Sequence, residues 1–248
     1  MTIPYLRRAL ATGPVVGTFL KLPRPEVVDV LAGCGVDFVV CDHEHAQISE
    51  REAREVIRAG RAVGLPVIVR VPDLDRGLIN RLLEAGAAGI QLARAESGTG
   101  RPLGDLMRYP PEGTRSVSPA QPAAGYGAIP LTTFLPRSNA DVLAVGQLET
   151  ASAAADPDAA VAGLDVAFIG PVDLRVALGH ADDPDHPDVT QAVTGIRAAA
   201  ARAGIPVGTY VAGPDEVAAA VGNGYRYVVV SSDLALLAAG ARTVLGRR

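Results

Sequence analysis

The feature that most limits how this chain can fold is a regular alternation of short apolar runs with alanine-rich stretches. Eight runs rich in β-branched residues occur along the 248 residues. They are Val15–Phe19, Phe38–Asp42, Val67–Val71, Gly89–Leu92, Leu143–Leu148, Val166–Gly170, Val207–Val211 and Tyr227–Ser231. Such nearly continuous apolarity is typical of parallel strands that are buried on both faces.

The stretches between these runs predict helices. They are Pro25–Gly33, Ser49–Gly64, Asp75–Ala85, Asp156–Ala162, Asp188–Ala203 and Pro214–Asn223. Several have a glycine at or just after their last residue, as helices often do. Eight strands alternating with helices over this length favour an α/β fold, a (β/α)8 TIM barrel. A doubly wound open sheet is the alternative, but the GxGxxG pattern usual after an early strand is absent.

The regular spacing is interrupted once, between the fourth and fifth runs. Residues 93–142 form a connection of about fifty residues that contains the segment YPPEGTRSVSPAQPAAGYG. A connection this long in a compact domain is usually functional. We therefore expect an ordered excursion near the site, with a disordered insert as the alternative. No Pro/Gly/Ser-rich linker divides the chain, so residues 1–248 are predicted to form a single barrel domain.

Composition excludes several classes of function. The net charge is −4 and no block dense in Lys and Arg occurs, which argues against nucleic-acid binding. No stretch reaches the roughly 18 apolar residues of a membrane span. Cys34 and Cys41 lie in or beside an apolar run and are interpreted as reduced core residues rather than a disulfide framework. We expect a soluble, cytoplasmic protein.

Two carboxylates follow neighbouring predicted strands. Glu149 comes after the fifth run and Asp173 after the sixth. Active sites of such barrels lie at the carboxyl ends of the strands, so these side chains should meet. Together they could bind a hard divalent cation such as Mg²⁺ or Mn²⁺. Alternatively, each caps a helix or forms a surface ion pair, and Asp173 could cap a helix starting near Leu174.

The second and third runs end in further ionisable residues. Asp42 leads into His43, Glu44 and His45, and Arg70 lies near the end of the third run. A buried guanidinium needs an anionic partner, either a substrate oxyanion or Asp42 or Glu44. His45 is a candidate general base, with a solvated bystander as the alternative. The two histidines could also ligate zinc, but no third ligand stands at a supporting spacing.

Two loop segments allow both functional and ordinary interpretations. Gly170 and Pro171 precede a predicted helix start, where backbone N–H groups could meet a carboxylate, although ordinary loop structure is the alternative. The segment GHADDPDHPD, with His180 and His186, is interpreted as a solvated acidic loop before the next helix.

These residues together carry a family resemblance. The chain resembles the HpcH/HpaI aldolases, the class II pyruvate aldolases of the 4-hydroxy-2-oxoheptanedioate and 2-dehydro-3-deoxyglucarate aldolase type, from about Leu6 to Leu245. The matching segments are Asp42–Ala46, Val67–Arg70, Leu82–Ile90, Tyr109–Arg115, Gln147–Thr150 and Phe168–Leu174. No single one of these segments would be specific, but their combination and order are.

The resemblance implies a barrel of the phosphoenolpyruvate/pyruvate-domain type and a metal-dependent lyase. Such an enzyme reversibly cleaves a 4-hydroxy-2-oxo acid to pyruvate and an aldehyde through a metal-bound pyruvate enolate. The implied metal is Mg²⁺ or Mn²⁺, with Co²⁺ also possible. The implied assembly is a homohexamer, a trimer of dimers.

The resemblance also implies roles for individual residues. Glu149 and Asp173 would bind the metal, and Arg70 would hold the C2 oxygen of pyruvate. His45 would be the acid–base residue, and Glu84 stands where the family commonly has an Asp that supports this histidine.

Five further residues complete the implied site. Asp42 belongs to the acid–base loop and is counted with the catalytic residues. The residues implied to surround pyruvate are Gln147, Gly170, Pro171 and Val172.

Departures from the family pattern lie where the second substrate would bind. They include the segment 116–127, Ala93, Val172, Arg175 and the sequence SSD at 231–233. We therefore expect an unusual acceptor aldehyde or a related reaction. Oxaloacetate decarboxylation and an enolate-trapping synthase are the alternative enzymes. A third alternative is a non-catalytic barrel that binds a 2-oxo acid, although a binder would not need the base.

Overall fold

Eight parallel strands close into one barrel in the order of the chain. The structure is a computed structural model and describes residues 5–246. The strands are β1 Val15–Leu20, β2 Phe38–Asp42, β3 Val67–Val71, β4 Gly89–Leu92, β5 Leu143–Leu148, β6 Val166–Ile169, β7 Val207–Val211 and β8 Tyr227–Ser232. The predicted (β/α)8 fold is confirmed, and the open-sheet alternative is wrong.

Helices surround the barrel. They are α1 Tyr5–Thr12, α2 Pro25–Gly33, α3 Glu50–Val63, α4 Arg76–Ala85, α5 Gly100–Met107, α6 Leu131–Asp141, α7 Ala151–Ala155, α8 Pro157–Val161, α9 Pro171–Ala177, α10 Pro187–Ala203, α11 Pro214–Gly222 and α12 Asp233–Leu245. A 3-10 turn spans Pro122–Gly127. Within residues 5–246, no helix is long and apolar enough to cross a membrane.

One predicted helix is divided in the structure. The sequence predicts a helix over Asp156–Ala162, but α7 ends at Ala155 and α8 begins at Pro157. The Asp156 carboxylate accepts the N–H of Ala159 and so caps α8. Pro157 has no N–H to continue α7, and its fixed φ suits a first helical position.

The apolar core has two layers, one inside the barrel and one between the strands and the outer helices. Inside, the rings of Phe38, Phe168 and Tyr227 pack together. Leu6 and Leu10 of α1 join this inner cluster and so place α1 across the amino end of the barrel. The inner core thus leaves the carboxyl rim to polar side chains.

The long connection between β4 and β5 is ordered, but much of it lies away from the carboxyl rim. Tyr109, Ala124 and Phe134 form a small core of its own. The 3-10 turn and α6 line a cavity together with Ala87 and Val142, which stand just before β4 and β5. The expectation that this excursion lies near the site is therefore wrong for this part, which packs at the amino ends of the strands.

Candidate active site

The barrel brings most of the predicted site residues to one rim. Asp42 is the last residue of β2, and its register partner on β3 is Arg70. Glu149 follows β5 and Gly170 follows β6. Asp173 lies in the first turn of α9. These positions are at the carboxyl ends of the strands, where barrel active sites form.

Glu149 is held from two sides. Its side chain is buried, with the residue only 3% exposed. The Gln147 side-chain amide donates to Oε2 at 2.7 Å, and the backbone N–H of Arg94 donates to Oε1 at 3.0 Å. Arg94 has a φ of 48°, which is uncommon for a residue with a side chain. The strained loop after β4 thus aims its N–H at the carboxylate.

Gly170 leaves the space that this carboxylate occupies. A Cβ added to Gly170 would lie 2.2 Å from Oε2 of Glu149. The φ of Gly170 is −88°, so its backbone conformation would accept a side chain. Close approach to Glu149 is therefore what requires glycine at this position.

The electrostatic surroundings of Glu149 are negative. Burial raises the pKa of its carboxyl from 4.5 to about 7, although the hydrogen bonds from Gln147 and Arg94 act to lower it. The nearby charges of Asp173 and Glu44 raise this pKa further. Two acids thus face the buried carboxylate closely enough to disfavour its ionised form.

Asp173 does not cap a helix that starts near Leu174. The helix begins at Pro171 and Gly170 is its N-cap, which places the exposed Asp173 within the first turn. The capping alternative is therefore wrong. An acidic side chain in a first turn is still favoured by the helix dipole.

Arg70 is fixed by two acids and a ring. Its guanidinium lies 2.8 Å from Oδ1 of Asp42 and 3.3 Å from Oε2 of Glu44. The same group lies over the ring of Phe19, with 4.6 Å from Cζ to the centroid. Of the partners that the sequence left open for Arg70, Asp42 and Glu44 are present in the structure.

Asp42 organises the loop that carries His45. Its carboxylate accepts the N–H groups of Glu44 and His45 and the ammonium of Lys21. Burial acts to raise the pKa of Asp42, but the charge of Arg70 and the hydrogen bond from Lys21 outweigh it, so the pKa lies below its usual value. An ionised Asp42 therefore holds both the loop and Arg70.

Sequence reasoning gave no role to two residues that support this rim. Lys21 bonds Asp42 at 2.8 Å, and Asp233 accepts the backbone N–H groups of Lys21 and Leu22. Asp233 thereby ties the loop after β1 to the end of β8. The signal available in the sequence was their position after the first and eighth runs, with charges opposite in sign.

His45 and Glu84 lie in different surroundings. The His45 side chain is 59% exposed, and its Nε2 lies 3.6 Å from Oε2 of Glu44. Glu84 lies on α4 and accepts a hydrogen bond from Asn80 at 3.2 Å. Among the described residues, no hydrogen bond or ion pair joins Glu84 to His45. The supporting role of Glu84 therefore stays a prediction.

The acidic loop after α9 contains a separate polar cluster. The His180 and His186 rings stack with 3.4 Å between centroids, and His180 Nε2 lies 3.1 Å from Oδ2 of Asp188. The Asp188 N–H donates to His186 Nδ1 at the start of α10. These three residues bring ligand-capable atoms within 4.8 Å of one another. The loop is thus ordered by its own contacts, and both histidines are half-buried.

The residues of the rim fit a hard divalent cation. Arg70 pairs with Asp42 and Glu44, and Lys21 pairs with Asp42, whereas Glu149 is held by the neutral donors of Gln147 and the Arg94 backbone. Oε2 of Glu44 is buried and has ion-pair contacts but no hydrogen-bond partner. Carboxylate oxygens such as those of Glu149 and Asp173 suit Mg²⁺ or Mn²⁺ better than a softer ion.

The fold and this rim define a (β/α)8 barrel with an acidic site built on the ends of β2, β3, β5 and β6. The chain belongs to the HpcH/HpaI aldolase/citrate lyase family, whose pattern matches residues 16–239. The resemblance seen in the sequence is thereby confirmed, and the family is one of aldolases and lyases.

Named relatives span nearly the whole chain. It is 32% identical to a hydroxypyruvate/pyruvate aldolase of Paraburkholderia phytofirmans, over 98% of this chain and 96% of the relative. It is 31% identical to a 5-keto-4-deoxy-D-glucarate aldolase of Salmonella arizonae, over 94% and 92%. A crystal structure of an HpcH/HpaI aldolase/citrate lyase family protein from Burkholderia cenocepacia superposes with a TM-score of 0.88 at 31% identity, covering 97% of both chains.

Proposed function

We propose that the protein is a divalent-metal-dependent aldolase that reversibly cleaves a 4-hydroxy-2-oxo acid to pyruvate and an aldehyde. The observation that carries this proposal is the Glu149 carboxylate, buried at the rim, oriented by Gln147 and Arg94 and faced by Asp173. The aldolase names of full-length relatives support the same reaction class.

Glu149 and Asp173 would hold the cation, for which Mg²⁺ or Mn²⁺ is the first choice and Co²⁺ a further possibility. A divalent ion supplies Lewis-acid polarisation of a 2-oxo group, which lowers the cost of removing a proton from C3. Gly170 contributes by leaving the Glu149 carboxylate room at this place.

Arg70 would stabilise the negative charge that develops on the C2 oxygen. Its ion pairs with Asp42 and Glu44 fix the guanidinium before substrate arrives. A donor that needs no reorganisation contributes most to a transition state. Asp42 acts here as the residue that positions both Arg70 and the His45 loop.

In the cleavage direction His45 would accept the C4 hydroxyl proton as the C3–C4 bond breaks and then give a proton to C3, and in the synthesis direction it would run these steps in reverse. Its imidazole is exposed and lies 3.6 Å from Oε2 of Glu44, and histidine is the side chain used most often for general acid–base work. Glu84 keeps the supporting role that the resemblance implies, although its contact within the chain is with Asn80.

The carboxylate end of pyruvate would lie against Gln147 and the start of α9. Gln147 uses one amide hydrogen on Glu149, and an amide carries two. The N–H of Val172 in the first turn has no intrahelical partner, because a helix leaves its first N–H groups unpaired. Pro171 and Gly170 would form the adjacent wall.

A coupled assay tests this proposal. Pyruvate released from a panel of 4-hydroxy-2-oxo acids is measured with lactate dehydrogenase, with EDTA and with added Mg²⁺ or Mn²⁺. We expect metal-dependent release that falls at least about 100-fold in Glu149→Gln and Asp173→Asn. Asp182→Asn, in the exposed loop, is the matched control and should retain activity. Cleavage that persists in EDTA would contradict the proposal.

The same assay separates the alternatives. Release of pyruvate from oxaloacetate, with no aldol cleavage of any substrate, would replace the proposal with a decarboxylase or an enolate-trapping synthase. Binding of pyruvate without turnover would replace it with a 2-oxo-acid-binding barrel.

Assembly and location belong to the same proposal. We infer a homohexamer, a trimer of dimers, from the family resemblance, and the exposed apolar side chains of Leu236, Leu237, Val244 and Leu245 on α12 support an interface on that helix. Light scattering after gel filtration tests this state. Both cysteines are free thiols, as the reducing cytoplasm would keep them, but only Cys41 is buried, so the expectation of a core position is wrong for the exposed Cys34.

A further inference from the structure

A chain of side-chain hydrogen bonds crosses the interior of the barrel and ends on Glu149. The Tyr227 hydroxyl donates to Oε1 of Gln91 at 3.3 Å. The Gln91 amide donates to Oε1 of Gln147 at 2.6 Å, and the Gln147 amide donates to Oε2 of Glu149 at 2.7 Å. Tyr227 and Gln91 are fully buried, and the other two are nearly so.

The order of donors and acceptors along this series of hydrogen bonds follows from the chemistry of its two end groups. The NH₂ group of Gln147 faces Glu149, and a carboxylate that holds a cation can only accept. The carbonyl of Gln147 then faces Gln91, which must present its own NH₂ group. The carbonyl of Gln91 in turn needs a donor, and the phenol of Tyr227 supplies one. Each link therefore has one consistent orientation.

The far end of the chain is held by packing. The Tyr227 ring lies 4.4 Å from the Phe38 centroid and meets Phe168 edge-on at 5.9 Å. Gly208 makes room for these rings, since a Cβ there would lie 2.9 Å from the Tyr227 ring. A hydroxyl on a ring packed this closely is a fixed anchor.

We propose that Gln91 and Tyr227 are positioning residues of the active site, which fix the Gln147 carboxamide and through it the Glu149 carboxylate. This inference rests on the proposed metal-binding role of Glu149. Neither residue touches the carboxylate itself, and both act through Gln147.

The effect follows from what Gln147 does without Gln91. Its carbonyl would be buried without a donor, and a half turn of the carboxamide would direct that carbonyl at Glu149, where two acceptors repel. Unsatisfied buried groups are costly, and changes to the residues that orient metal ligands commonly lower metal affinity about 10–100-fold. The series of hydrogen bonds thus holds the Gln147 carboxamide in the orientation in which its NH₂ group faces Glu149.

Mn²⁺ binding, measured by electron paramagnetic resonance, tests the proposal. Gln91→Met keeps the length of the side chain and removes both hydrogen bonds, so we expect a dissociation constant about 10-fold higher. Tyr227→Phe removes only the last donor and should raise it about 3-fold. Val166 also lies inside the barrel but takes no part in this series of hydrogen bonds. Val166→Ala should therefore destabilise the fold and leave Mn²⁺ affinity unchanged.

The double variant provides a readout that a loss of general stability would not produce. Once Gln91→Met has removed the amide, the Tyr227 hydroxyl has nothing to orient, so Gln91→Met with Tyr227→Phe should bind no more weakly than Gln91→Met alone. Effects that multiply in the double variant would overturn the proposal, as would wild-type affinity in Gln91→Met.

Side-chain amide signals of Gln147 and Gln91 in ¹H–¹⁵N spectra separate this proposal from the metal assignment. If the wild type bound no Mn²⁺, the proposed function would fail first. The metal-free spectra of Tyr227→Phe would still show whether the Gln147 amide loses its fixed environment. An unchanged Gln147 signal in both Tyr227→Phe and Gln91→Met would overturn the positioning role.

Discussion

The contact between Gly170 and Glu149 allows one prediction to be worked out from the geometry. Gly170→Ala would place a Cβ 2.2 Å from Oε2, whereas real Cβ contacts essentially never lie under 3.0 Å. The carboxylate must therefore move by at least about 0.8 Å, the difference between these two distances. Such a move would strain the 2.7 Å bond from Gln147 to this oxygen and disturb the 3.0 Å bond from Arg94 to Oε1.

The predicted result is a large loss of function with a modest loss of stability. Misplacing a reacting group by about 1 Å can cost on the order of 10²-fold in rate, so we expect that loss in Mn²⁺-dependent turnover. Overpacking by one methyl group costs about 1–3 kcal/mol, which lowers Tm by several degrees without unfolding the barrel. Pyruvate release and thermal unfolding are measured on the same preparation.

A matched control is present in the chain. Gly213 precedes Pro214 at the start of α11 just as Gly170 precedes Pro171, but a Cβ there meets nothing within 4 Å. Gly213→Ala should keep wild-type turnover. Adding Glu149→Asp to Gly170→Ala shortens the acid by one methylene group and should recover part of the activity. Normal Mn²⁺ affinity and turnover in Gly170→Ala would refute the reasoning.

Three further predictions concern the same rim. The pKa of Glu149 is about 7 in the folded protein and 4.5 in the unfolded chain, so the folded state holds this proton more tightly. The resulting contribution to the free energy of unfolding is complete below pH 4.5 and is lost as the pH rises through 7. Measured by urea unfolding in EDTA, the free energy of unfolding of the wild type should fall by up to about 3 kcal/mol from pH 4.5 to pH 7, relative to that of Glu149→Gln. Parallel plots of this free energy against pH for the two proteins would contradict the pKa shift. Arg70→Lys keeps the positive charge but loses the planar guanidinium and its paired N–H donors, so turnover should fall about 10²–10³-fold. A rate near that of the wild type would show that Arg70 takes no part in the reaction. His45→Gln should slow proton exchange at the pyruvate methyl group about 10²–10⁴-fold, and an unchanged rate would show another base.

The strands and the rim could be predicted because their signals are local. The β-branched runs predict every strand of the barrel to within one residue at either end, and the carboxyl ends of parallel strands must share a rim. Glu149, Asp173, Arg70 and Asp42 could therefore be grouped from the amino-acid sequence alone. Asp42 and Arg70 are even register partners.

Other features depend on contacts between distant parts of the chain. The Tyr227–Gln91 bond joins β8 to β4, and in sequence Tyr227 was only one member of an apolar run. The position of the 3-10 turn and α6 follows from packing beside Ala87, which no loop composition encodes. Glu84 accepts a hydrogen bond from Asn80, one turn earlier on the same helix α4, while the rotation of α4 decides which other elements its side chain faces.

Deuterium exchange at the pyruvate methyl group, followed by proton NMR, tests the central claim most directly because it needs no second substrate. The purified protein is assayed with EDTA, with Mg²⁺ and with Mn²⁺, alongside Glu149→Gln and Asp173→Asn. The account predicts exchange only with metal and only when both acids are present. Exchange that continues in EDTA or in either variant would contradict it, as would a wild type that shows no exchange with either metal.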